Sequence, residues 1–151
     1  MTFAFAATLM GLFGCGSEPK DTASDEHHHG SGSAVLEDAN FSTEATTEGG
    51  TWTLSYETDP NPVPLSENFS MTVTVHDADG RAENATLDID ATMPAHNHGM
   101  NTEAAVTSLG DGTFEIDGLQ FHMTGHWRIH ANVDGPEQPE EYAWFDVTCC
   151  D

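Results

Sequence analysis

The feature that most constrains this chain is a strict two-residue alternation, repeated in short runs between residues 51 and 148. Phe69, Met71, Val73 and Val75 alternate with Ser70, Thr72, Thr74 and His76. Leu87, Ile89, Ala91 and Met93 alternate with Asp88, Asp90 and Thr92. Trp127, Ile129, Ala131 and Val133 alternate with His126, Arg128, His130 and Asn132, and Ala143, Phe145 and Val147 with Tyr142, Trp144 and Asp146. An extended chain sends successive side chains to opposite faces, so each run builds one apolar and one polar face. Shorter runs at Trp52–Tyr56, Ala104–Leu109 and Phe114–Ile116 follow the same rule.

Turn residues separate the runs: the Pro-rich segment 59–64, Asp79-Gly80 and Gly110-Asp111-Gly112. No stretch of useful length has helical periodicity. About seven short strands with turns at these intervals predict an all-β chain, an immunoglobulin-like antiparallel β-sandwich. A length of 151 residues allows one such domain with a modest core.

The domain is expected to span residues 51–151. Residues 15–50 are rich in Gly, Ser, Thr, Asp and Glu, bury too little apolar surface to fold alone, and read as a disordered tether. His27-His28-His29 lies within it; three solvated histidines hold no fixed geometry, so scavenging or an incidental run is expected. Residues 1–14 are apolar but fall short of the roughly 20 residues of a membrane span, and read as a secretory signal peptide. Leu12-Phe13-Gly14-Cys15 resembles the lipobox of bacterial lipoproteins, which implies lipidation at Cys15 and a lipid-anchored place in the cell envelope, periplasmic or outer-membrane. No Lys or Arg precedes the apolar run and Phe13 is bulky for its position, both departures from that pattern.

Charge excludes some partners. With 26 acidic against three basic residues, a formal charge of −23, the chain lacks the basic face that nucleic acid or an anionic membrane surface requires. Membrane contact is therefore expected through the N-terminal lipid only. Cations are the natural counterpart, although solubility explains the charge as a whole.

Two short stretches carry the chemistry. Met93-Pro94-Ala95-His96-Asn97-His98-Gly99-Met100 packs two thioethers and two imidazoles into one connection, and His122-Met123-Thr124-Gly125-His126 repeats the residue types. Imidazole suits copper, zinc and iron, whereas thioether sulfur favours Cu(I). In a seven-strand antiparallel sandwich, connections two apart fall at the same end. His96, His98, Met100, His122, Met123 and His126 can therefore converge on one rim as metal ligands. Met93 and Trp127 continue inward faces and read as core.

Together these stretches carry a family resemblance. Met93, Pro94, His96, His98, Gly99 and Met100, then Gly110 to Gly112 with Phe114, then Phe121, Met123, Gly125 and Trp127, resemble the YtkA-like domain family. The resemblance covers about residues 50–148. It implies a secreted or membrane-attached β-sandwich engaged in metal handling, copper above all, and supports the fold better than any particular activity.

Other chemistries find no support. A zinc hydrolase needs a base and a third firm ligand, and no H-E-x-x-H occurs. A blue-copper site needs a Cys followed closely by His and Met, but only Asp151 follows Cys149-Cys150. There is no nucleophile elbow. A non-enzyme is expected. For Cys149-Cys150 three fates compete: a disulfide between neighbours, bridges to a second chain, or a thiol pair for a soft metal. The sequence thus predicts an envelope module with a copper-binding rim, a chaperone, buffer or delivery protein, whose imidazoles lose metal to protons as pH falls toward about 6. The competing reading is a metal-free interaction module that meets another envelope protein through Tyr142, Trp144 and the His126/Arg128/His130 face.

Overall fold

A computed structural model describes residues 36–136 and 138–150. The expected signal peptide, Cys15, His27–His29 and the first part of the tether lie outside the described residues. The fold is all-β, with ten strands: β1 Glu44–Thr46, β2 Thr53–Asp59, β3 Asn68–Asp77, β4 Gly80–Arg81, β5 Thr86–Met93, β6 His98–Gly99, β7 Ala105–Gly110, β8 Thr113–Gln120, β9 Gly125–Gly135 and β10 Gln138–Cys149. Seven of these are the alternating runs. The three additions, β1, β4 and β6, are two or three residues long, too short to show a period in sequence.

The strands form two antiparallel sheets. One runs β1-β2-β3-β8-β7, with β4 paired to β3; the other runs β10-β9-β5-β6. With the seven long strands lettered A to G in chain order, the sheets read A-B-E-D and G-F-C, the immunoglobulin arrangement. Their inner faces supply the core. Leu54, Val73, Val75, Ile116 and Leu119 from one sheet meet Ile129, Ala131, Val133 and Phe145 from the other, all fully buried. Trp127 lies flat on Phe121, with centroids 4.6 Å apart and 8° between planes. Each large apolar side chain removed from water in this way contributes about 1.5–3 kcal/mol. Among the described residues no helix is long and apolar enough to cross a membrane.

The folded boundary lies before residue 51. Residues 38–41, in the stretch that composition assigns to the tether, lie as a strap along β10. Asp146 donates its backbone N–H to Asn40 O (2.7 Å), and the Asn40 side-chain amide donates to Trp144 O (3.1 Å). Trp144 Nε1 donates to Asp38 O (3.0 Å). Farther along, Glu48 N–H donates to Tyr142 O (2.9 Å), and β1 pairs with β2. Composition misses this attachment because hydrogen bonds to a strand edge hold it, not a buried apolar face.

Candidate metal centre

The rim is built from two connections. After β5, His96 and Asn97 both donate backbone N–H groups to Met93 O (3.0 Å each), and Asn97 takes φ 53°, a left-handed conformation asparagine tolerates. The chain turns back so that His98 pairs with Met93 and Gly99 with Thr92. Met93 is 2% exposed, a core residue as its alternation predicts.

The second connection follows β8. Phe121 is buried, and Trp127 Nε1 donates to Met123 O (2.9 Å), so the core indole holds the backbone of the His122-Met123 segment. Gly125 then opens β9 at φ 125°, where a Cβ would stand 2.8 Å from Met93 Cε. A side chain at this position would meet both a strained backbone and the Met93 methyl group.

These connections meet at one end of the sandwich, bringing His96, His98 and His122 together. The His98 ring lies 5.8 Å from His96 and 5.0 Å from His122, centroid to centroid. Both His98 and His122 stand edge-on to Trp127, at 5.9 and 5.4 Å. His98 Nδ1 is 3.1 Å from Gly99 O; a hydrogen placed there to satisfy the carbonyl leaves Nε2 with its lone pair free. His122 Nδ1 is buried without a hydrogen-bond partner among the described residues. Most buried polar groups are paired, and one left alone carries a desolvation penalty. A cleft of about 190 Å³ lined by Thr92, Met93, Pro94, Asn97, His98 and Gly99 opens beside the hairpin.

The remaining sequence-predicted donors divide. Met123 is 37% exposed, whereas Met100 is half-buried and packs against the core. Among the described residues no three His, Cys, Asp or Glu side chains stand ready to hold a metal ion.

His126 sits apart from the other imidazoles. Strand parity turns it to the outer face, opposite to Trp127, where its Nε2 lies 2.5 Å from Asp146 Oδ1 and its ring packs 5.3 Å from Phe41. Asp146 is fully buried. It also accepts from Arg128 Nε (3.0 Å), Arg128 Nη2 (3.2 Å) and Asn40 N (2.5 Å). Arg128 continues to Asp38 through two parallel bonds of 3.0 Å and lies 5.2 Å over the Trp144 ring. Burial alone would raise the Asp146 carboxyl, but bonds from Arg128, Asn40 and His126 outweigh it and hold the group below the usual carboxylate range. The Arg128 bond chiefly lowers Asp38 as well. His130, bonded to Thr92 Oγ1 and Tyr142 OH at 2.7 Å each, is pushed down mainly by burial.

The strap therefore occupies the His126/Arg128 part of the face that a metal-free docking module would offer. Sequence reasoning missed the Asp38–Arg128–Asp146–His126 network. Its signal was Arg128, one of only three basic residues, directly across β9 and β10 from Asp146.

At the same end of the sandwich, Cys149 pairs with Gly125 and is buried, while Cys150 is half-buried. Their sulfurs lie within bonding distance of each other.

Two antiparallel sheets in immunoglobulin order, with imidazoles from two loops gathered at one end, define a β-sandwich module with a histidine-lined rim. The YtkA-like family matches residues 44–132, and the chain belongs to that family. Among solved structures, a DUF4426 family protein from Pseudomonas aeruginosa PAO1 is similar, with 12% identity and a TM-score of 0.49, covering 66% of this chain and 91% of that one. No curated protein matches the chain.

Proposed function

We propose that the domain binds a soft metal ion, copper, at the rim formed by His96, His98 and His122, and serves as a chaperone, buffer or delivery module of the cell envelope. The observation that carries this reading is the unpartnered, buried Nδ1 of His122 in a cluster of three imidazoles. The residue types suit the group, although the rings as they stand do not converge as a three-ligand set among the described residues. With metal–nitrogen bonds of about 2.0–2.1 Å, two imidazoles on one ion hold their centroids roughly 5–6 Å apart, and the observed separations are 5.0 and 5.8 Å.

The chain's own contributions are positional. The Gly99 carbonyl fixes the tautomer of His98, and Trp127 holds the His122 segment through Met123 O. Binding would require ring rotation at His96 and His122 to bring their donors to a shared point. Met123, exposed at the loop tip, offers a thioether suited to Cu(I), while Met100 contributes packing. His126 takes no part, because Asp146 engages its Nε2.

The test is a Cu(I) titration against a chromophoric chelator under reducing conditions, on a chain with His27, His28 and His29 replaced by alanine. One-to-one transfer is expected, lost when His96 and His98 are both replaced by alanine. No competition with Cu(I), Cu(II) or Zn(II) would overturn the proposal and return the rim to ordinary surface.

A further inference from the structure

The cysteine pair lies on the rim but outside the histidine cluster, and its two sulfurs have unequal surroundings. Cys149 is 2% exposed, held inward by its register with Gly125, and its Sγ lies 4.0 Å from Pro64 O. Cys150 is half-buried and lines an open cleft of about 570 Å³ with Val63, Pro64, Leu65 and Thr124. Leu65 is 44% exposed at its mouth. A reagent entering this cleft meets Cys150 and is screened from Cys149. The volume is that of a small-molecule cleft.

We propose that Cys149–Cys150 is a thiol–disulfide exchange site at which a low-molecular-weight thiolate enters the Pro64/Leu65/Thr124 cleft and attacks Cys150 Sγ. The attacking sulfur bonds to Cys150 as the Cys149–Cys150 bond breaks, and Cys149 leaves as a thiolate that takes a proton from water. The Pro64 carbonyl stands where the new thiol can donate to it. A second thiolate then attacks the entering sulfur, releasing Cys150 and an external disulfide. Two external thiols are oxidised and the pair is reduced, so electrons balance.

Charge selects among thiols. The chain carries a formal −23, so an anionic thiol is repelled and a cationic one drawn in, a difference that salt screens. Neither argument involves the metal site, so the two proposals stand or fall separately.

The experiment treats the full chain, purified without reductant, with cysteamine, 2-mercaptoethanol or glutathione, then quenches with acid and caps with N-ethylmaleimide. Cleavage after Glu141 releases Tyr142–Asp151, free of Cys15, and fragmentation between the two cysteines locates each label. The expected result is the external thiol on Cys150 and maleimide on Cys149, in a ratio above about tenfold. At low salt, matched for thiolate concentration, cysteamine should outpace glutathione several-fold, and Thr124→Trp, which fills the cleft, should slow all three. An untreated chain that already takes up maleimide at both cysteines, or equal labelling of the two, would overturn the proposal. Reduction that occurs only after urea unfolding would overturn it as well.

Discussion

Replacing Asp146 by asparagine should be among the most damaging single changes the domain can suffer. Asp146 is a fully buried carboxylate that accepts two bonds from Arg128, one from the Asn40 N–H and one from His126. Asparagine keeps the shape and removes the charge, leaving the buried Arg128 guanidinium with Asp38 as its remaining acidic partner. Removing one member of a buried ion pair costs about 3–5 kcal/mol, and the low end applies here because Asp38 stays in place. For a domain of this size, about 3 kcal/mol lowers the melting temperature by roughly 10–15 °C. Asp38 is the control: its side chain is 58% exposed, and solvent and salt screen an exposed pair so that it contributes little. Urea denaturation and thermal melts of both variants at pH 7 provide the comparison. A loss from D146N no larger than that from D38N would refute the reasoning. The same carboxylate sets a pH dependence. Its folded pKa lies below its unfolded value, so its contribution is complete above about pH 4 and drains away as pH falls through the lower folded value. The stability gap between wild type and D146N should therefore shrink as pH falls from 5 to 2.

Trp127→Phe keeps the stacking surface but loses the N–H that holds Met123 O. It should lower stability by about 1 kcal/mol for that bond plus a packing loss, and speed amide exchange around residues 122–124, measured by hydrogen exchange. Gly125→Ala meets φ 125° and a 2.8 Å approach to Met93 Cε, and should destabilise the domain by about 1–3 kcal/mol. Adding Met93→Ala should relieve only the steric part; a double variant as stable as Met93→Ala alone would show that the backbone conformation costs nothing.

The sandwich was legible because period-two alternation is a direct consequence of strand geometry, and residues such as Val73, Ile89 and Ile129 sit where that parity puts them. Counting connections was enough to bring His98 beside His122, since end alternation depends only on strand number. The same parity places His126 away from that cluster: alternating with Trp127, it faces outward toward Asp146. Nothing in residues 38–46 announced the strap, because its bonds use backbone groups and short polar side chains that carry no periodic signature. Arg128 and Asp146 gave a faint clue, being opposite charges on facing outward positions. Their partner Asp38 is 90 residues from Arg128, beyond the reach of any local pattern.

The strap also bears on what the molecule avoids. β10 is the longest strand and the outermost of its sheet, and an open strand of twelve residues would be a template for lateral growth of one molecule onto the next. Asn40 and Glu48 already take the hydrogen bonds of Tyr142, Trp144 and Asp146 along that margin. On the opposite margin the two-residue β6 covers only Thr92 and Met93 of β5. Along β10 the sheet is thus bordered by its own chain, which closes its longest strand to a neighbouring molecule.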